Sequence, residues 1–225
     1  MPSNPSPLVL KDIEALPAVK SYLTRADVVM EKYGYTEHGF RHAGLVASIS
    51  RNILSRLGFS PRTVELGGIA GFLHDIGNVV CRQDHEQIGA MLSERILTNA
   101  GMDYDEVAQV INAIGNHEEE TGWTASEIGA AVVIADKADV HETRVRNEDQ
   151  LSFDIHDRVN FAAKRSFLRV DDKTRLLTLE IDIDTSLSEV MEYFEIFLQR
   201  MEMCRKAAEF LNARFSLVIN GVKLL

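Results

Sequence analysis

The chain has 225 residues, 45% hydrophobic and 26% charged, the balance of a folded globular protein rather than a disordered or fibrous one. Lys and Arg number 24 against 34 Asp and Glu, a formal net charge of −10. With no Lys/Arg-rich run, this argues against a nucleic-acid partner, while leaving room for a small phosphorylated ligand held by local cations or metal ions. Cys81 and Cys204 form neither a CxxC pair nor a disulfide framework, so they read as reduced thiols in a cytoplasmic protein. The apolar stretch 128–135 is too short to span a membrane, and the first residues lack the basic start and apolar core of a signal peptide.

Pro2, Ser3, Pro5 and Ser6 predict a loose leader before a helix over 11–34, and residues 1–35 are read as this leader and helix. From 36 to 150 the pattern is helical, in five segments. The first covers 38–57 and stops at Gly58. Ser60-Pro61 opens the second, to 76, because Ser caps well and Pro fits a first turn. Asp84 with Gln87 has capping-box spacing for a third, ended near Gly101. Asp103 with Glu106 repeats it for a fourth, to 115, and Thr124 with Glu127 for a fifth, to 144.

Beyond 150, β-leaning runs 166–170 and 176–183 flank Asp171-Asp172-Lys173, which predicts a hairpin. A long amphipathic helix over 186–213 follows, then a strand and turn in 215–221. The fold class is therefore mainly α, a helical body with a small α+β extension over 151–225. The apolar face Val190, Phe194, Phe197, Leu198, Met201 and Cys204 must be covered, by the hairpin and terminal strand or partly by a second copy in a homodimer.

Function is signalled by polar residues in apolar positions. His42 continues the stripe Val46, Ile49, Ile53 and Leu57, and His85 the line Ile88, Leu92 and Ile96. His117 lies three residues past Ile114, and Asp136 extends Ile128 and Val132 in steps of four. His74-Asp75 follows Phe72-Leu73, with Gly67 and Gly71 one and two turns earlier, where a neighbouring helix can come close. One such histidine alone is usually a hydrogen-bonded core residue, but a buried carboxylate needs a partner or a cation. A metal cluster explains all six residues at once; otherwise six separate hydrogen-bonding arrangements are needed. A carboxylate can bridge two cations, and mixed nitrogen and oxygen donors suit Fe, Mn, Zn, Ni or Co rather than Ca.

The ordered series His42, His74-Asp75 in GFLHDIGN and Asp136 in VVIADKADV resembles the HD-domain superfamily of metal-dependent phosphohydrolases. His85 in DHEQIGA and His117 in GNHEEETG resemble its two-metal subgroup, and the likeness covers 36–147. The resemblance implies a helical HD-domain core in which His42, His74, Asp75 and Asp136 bind one divalent transition-metal ion. Asp75 then bridges to a second ion, held also by His85 and His117, and is the central catalytic residue. It further implies hydrolysis of a small phosphate ester, a nucleotide among the options, by a metal-activated hydroxide. Two departures bear on the substrate. Many relatives carry Lys where this chain has Asn78, and the cyclic-dinucleotide branch has a paired histidine and a Gly-Tyr-Pro signature. Here Asn116 precedes His117 and no such signature follows Gly122-Trp123. A cyclic-dinucleotide phosphodiesterase and a non-catalytic metal-bound sensor or scaffold stand as the alternatives.

Asn78, one turn beyond His74, and Lys137 and Arg144, on or just past the fifth helix, are candidates for substrate contact; the plainer reading of the two cations is a solvated surface cation or an ion-pair partner. Arg146 is weighed in the same way. Asp139 and His141 are placed to support metal ligands. His38 reads as exposed polarity at a helix start, Glu118–Glu120 as solvent-facing, and Trp123 as a packed loop aromatic. No GxxxxGK loop or nucleophile elbow occurs, so covalent catalysis has no support.

Overall fold

The structure is a computed structural model that describes residues 7–118 and 123–224. The leader residues 1–6 and Glu119 and Glu120 lie outside the described residues. Two helices, α1 (Leu10–Ala15) and α2 (Pro17–Lys32), stand where the sequence predicts one over 11–34. The cause is Pro17. A residue before proline is pushed out of the α region, and Leu16 is extended, with ψ 128°.

Five helices follow: α3 (Phe40–Arg56), α4 (Pro61–Leu73), α5 (His85–Asn99), α6 (Tyr104–Gly115) and α7 (Glu127–Lys137). Ser60 caps α4 by accepting the Thr63 N–H, with Pro61 in the first turn. Asp103 caps α6 through the Asp105 N–H. Two expected caps differ. Asp84 sits in the left-handed region (φ +56°) and makes no cap bond, and α7 is capped by Ser126 through the Gly129 N–H rather than by Thr124. Helix α4 also stops short of 76, and a 3-10 turn over Ile76–Val79 takes the chain on to α5.

Close helix contact sets up the site. A Cβ on Gly71 would lie 3.1 Å from both Cα and N of Ala47, so α4 and α3 meet almost backbone to backbone. This brings the start of α3, which carries His42, beside the end of α4.

The C-terminal part contains α8 (Ile155–Ala162), which the sequence reading lacks, then β1 (Ala163–Asp171), β2 (Leu176–Ile183), α9 (Val190–Phe210), β3 (Arg214–Ile219) and β4 (Val222–Lys223). The hairpin pairs Val170 with Leu177 and Leu168 with Leu179, and β3 adds parallel to β2 to give the order β1-β2-β3-β4. The chain is thus mainly helical with a small four-stranded C-terminal sheet. Helix α7 lies between two apolar clusters: Ile128, Val132 and Ala135 join the N-terminal helices, while Ala131, Val133 and Ile134 join the sheet and α9. The buried face of α9 is Tyr193, Phe197, Met201, Cys204, Ala207 and Ala208; Leu198, expected on that face, is exposed. No helix among the described residues is long and apolar enough to cross a membrane.

Candidate metal centre

Six side chains converge where α3, α4, α5, α6 and α7 meet. His42 lies in the first turn of α3, and Asp136 in the last turn of α7. His74 ends α4, and Asp75 precedes the 3-10 turn. His85 opens α5, and His117 lies just past α6. All four imidazoles are buried.

The ring nitrogens fall into two sets. Each Nδ1 faces an oxygen that can only accept: His42 on Asp139 Oδ2 (2.7 Å), His74 on the Gly71 carbonyl (2.8 Å), His85 on the Arg82 carbonyl (3.0 Å) and His117 on the Ile114 carbonyl (2.7 Å). Each Nδ1 therefore carries the proton, and in the neutral ring each Nε2 presents a lone pair to the shared space. The lone pairs meet in couples. His42 Nε2 and His74 Nε2 are 3.2 Å apart, as are His85 Nε2 and His117 Nε2. Two lone pairs at that distance repel unless a cation or a proton lies between them.

Asp75 divides its oxygens between the couples. Oδ2 is 3.6 Å from His42 Nε2 and 3.4 Å from His74 Nε2, whereas Oδ1 is 3.2 Å from His85 Nε2 and 3.9 Å from His117 Nε2. Asp136 Oδ1 completes the first half, 3.2 Å from His42 Nε2 and 3.7 Å from His74 Nε2. Donors that each lie 2.0–2.2 Å from one tetrahedral ion are separated by about 3.3–3.6 Å. The spacings in both halves fall around that value, so the residues present fit a divalent transition-metal ion in each.

Electrostatics point the same way. Burial opposes charge on Asp75 and Asp136, yet both carboxyls are held well below their ordinary range, Asp75 chiefly by His74 and Asp136 chiefly by Lys137. Burial also works against a charged His74, but Asp75 and Asp136 outweigh it and raise His74 to about 10. Burial, with the neighbouring His74 and His85, pushes His117 well below its ordinary value. The pocket attracts positive charge.

Surrounding groups hold the donors. Asp139 accepts from His42 and from both terminal nitrogens of Arg41, at 2.8 and 3.3 Å. Asn78 is buried; its amide nitrogen donates to Asp75 Oδ1 (2.9 Å) and to the Asp75 carbonyl (3.1 Å), while its own oxygen meets no donor. Asn78 therefore steadies Asp75 from behind and does not line the cleft.

A cleft of about 390 Å³ opens over Asp75, His117 and Asp136, edged by Arg82, Lys137 and Arg144, with Arg200 of α9 on the far wall. Lys137 is buried, and its Nζ donates to Asp136 Oδ2 at 2.7 Å. Arg144 is also buried, donating to the Asp139 and Glu37 carbonyls and 3.2 Å from His38 Nε2. Neither is a solvated surface cation; Lys137 is an ion-pair partner of Asp136, and Arg144 Nε lies 3.7 Å from Asp139 Oδ2.

His38 is half-buried in the cleft wall instead of exposed at a helix start. His141 turns to Thr143, and Arg146 pairs with Asp27, both away from the donors. Trp123, expected as a packed loop aromatic, is instead exposed and is not among the residues lining the cleft. Glu118, read as solvent-facing, is the clearest residue that sequence reasoning misplaced. Its Oε2 is 3.7 Å from His85 Nε2, and Arg82 Nη2 donates to it at 2.9 Å. Arg82 gave no signal at all, since it sits in an irregular loop with no periodicity to orient it.

Residues 39–144 match the family model described as the HD domain. This segment is an HD domain. It contains all six converging residues, Asn78 and Arg82. The chain is similar to the uncharacterized protein MJ1020 of Methanocaldococcus jannaschii, 26% identical over 201 residues that cover 79% of this chain and 75% of that protein. It is also similar to a crystal structure from an uncultured Thermotogales bacterium described as a predicted HD superfamily hydrolase. That likeness has 25% identity, covers 60% of this chain and 75% of the other, and has a TM-score of 0.43.

Proposed function

We propose that this HD-domain protein is a metal-dependent phosphohydrolase acting on a small phosphate ester. The observation that carries this reading is Asp75, whose two oxygens face separate histidine couples beneath a cleft edged with cations. Two divalent transition-metal ions held there would lower the pKa of a water and neutralise charge on the phosphoryl oxygens. His42, His74 and Asp136 would hold one ion, His85 and His117 the other, and Asp75 both. The imidazole-rich donor set favours Mn, Fe, Co, Ni or Zn over Mg and Ca.

The remaining groups bind and orient. Lys137, fixed on Asp136 Oδ2, sets that carboxylate with Oδ1 toward His42 and puts positive charge at the cleft floor, where a phosphate oxygen would lie. Arg144 holds the Asp139 carbonyl and presents its other face to the cleft. Arg200 makes the C-terminal unit part of the wall, so the extension over 151–225 shapes which ester fits.

The test is hydrolysis by protein purified without chelator and reloaded in turn with Mn, Fe(II), Co, Ni and Zn. The panel holds phosphomonoesters, nucleotides, linear diesters and cyclic dinucleotides. Turnover that needs the transition metal is expected. Protein that holds its ions and cleaves no ester would instead favour a metal-bound sensor.

A further inference from the structure

The second half of the centre already contains a cation that belongs to the protein. Arg82 Nη1 donates to His85 Nε2 at 3.0 Å and lies 3.9 Å from Asp75 Oδ1, while its Nη2 donates to Glu118 Oε2 at 2.9 Å. In the first half the cation is Lys137, whose Nζ sits on the far oxygen of Asp136, Oδ2, while Oδ1 faces His42 Nε2. The two halves thus differ in kind.

An imidazole with its proton on Nδ1 has a single lone pair, on Nε2, and that pair takes either an N–H or a metal ion. A metal ion about 2.0–2.1 Å from His85 Nε2 leaves no room for a guanidinium nitrogen 3.0 Å from the same atom. We infer that Arg82 is the resident cation of the second half and exchanges with the second metal ion. The guanidinium neutralises Asp75 Oδ1 and Glu118 and caps His85 until an ion displaces it. The displaced side chain has somewhere to go: it lines the cleft beside Tyr35, whose ring centroid is 5.9 Å away. Glu118, on which Arg82 donates, lies within 4.8 Å of the His85 and His117 donor atoms and is placed to join them as a further ligand.

The exchange makes the second ion weaker than the first. Binding it breaks two charge-assisted hydrogen bonds of Arg82, so the second ion should bind at least about tenfold more weakly than the first. Phosphohydrolase activity is not needed for this reading, although it rests on the two-ion assignment above.

The experiment is a titration of chelator-treated full-length protein with Co²⁺, followed by calorimetry and visible absorbance, on the native chain and on Arg82→Gln and Arg82→Ala. The native chain should take one ion tightly and a second about tenfold more weakly. Both variants should tighten the second ion about tenfold and leave the first unchanged, with a melting temperature in metal-free buffer confirming that they fold. Arg82→Lys, which keeps the charge but loses the fork, should fall between. Two equal ions in the native chain, or an unchanged or wider gap in both variants, would overturn the exchange while leaving the two-ion centre standing. A chain that binds no Co²⁺ at all would overturn both.

Discussion

Gly77, inside the HDIGN stretch, is where a single methyl group should separate the two halves of the centre. A Cβ built there lies 1.9 Å from the His85 carbonyl oxygen, 2.6 Å from the Gly89 nitrogen and 2.8 Å from the His85 carbonyl carbon. All three are backbone atoms of α5, so no side chain can swing aside. Restoring an ordinary contact of about 3.5 Å requires roughly 1.6 Å of retreat, by the helix, the turn or both. Overpacking of this kind costs about 1–3 kcal/mol, and the backbone nature of the clash puts Gly77→Ala at the upper end. For a chain of this size that lowers the melting temperature by roughly 5–10 °C. The same displacement carries His85 away from Asp75 Oδ1, while His42 and Asp136 stay on α3 and α7. Thermal melts in metal-free buffer, together with Co²⁺ titration, should show a destabilised protein whose second ion is weakened at least about tenfold and whose first is affected less. Gly89→Ala, whose Cβ meets backbone only at 3.2 and 3.3 Å, should show a milder loss. A Gly77→Ala protein with native melting and both ions at native affinity would refute the argument.

Asp75→Ala removes the carboxylate that faces both couples, so elemental analysis should find at least one ion lost and any hydrolysis should fall by orders of magnitude; both ions with normal turnover would end the two-ion reading. Asp139→Asn puts an amide where Oδ2 accepts from both His42 and Arg41, and metal titration should show the first ion weakened about 10–100-fold with little change in the second. Asn78→Ala frees Asp75 Oδ1 without touching a donor, so both ions should bind, with a loss of about 1–2 kcal/mol in chemical denaturation.

The helices of the core and their polar anomalies were legible because both leave periodic marks. His42 and Asp136 stand on stripes of apolar residues, and the buried stripe fixes which way they point. Gly71 marked the close approach of α3 and α4 for the same reason. What periodicity does not reach was missed. Leu16 is bent by Pro17, which divides one expected helix into two. Asp84 looked like a cap yet takes a left-handed turn and makes no cap bond, so a capping-box spacing alone did not determine the entry to α5. Asn78, Arg82 and Glu118 sit in a 3-10 turn, a loop and a helix exit, where spacing says nothing about direction. In the C-terminal part the hairpin was marked by its turn residues, but α8 is a short eight-residue helix on which the sequence placed no expectation.

The same contrast between helix and loop runs through the centre itself. The first half draws His42 and Asp136 from helices α3 and α7, backed by Asp139 and Arg41, and its His74 closes α4 against the Gly71 carbonyl. Sites built on helices hold their geometry better than sites built on loops. The second half takes His85 from the first residue of α5, His117 and Glu118 from beyond the end of α6, and Arg82 from the loop that leads from the 3-10 turn into α5. Its members are tied to one another by side-chain bonds that an incoming ion must break. On the two-ion reading, Asp75 therefore joins a preorganised position to an exchangeable one. Activity should follow metal concentration across a range in which the first position is already full. On the exchange proposed above, the residue that sets that range is Arg82, through the lone pair of His85 and the oxygens of Glu118 and Asp75.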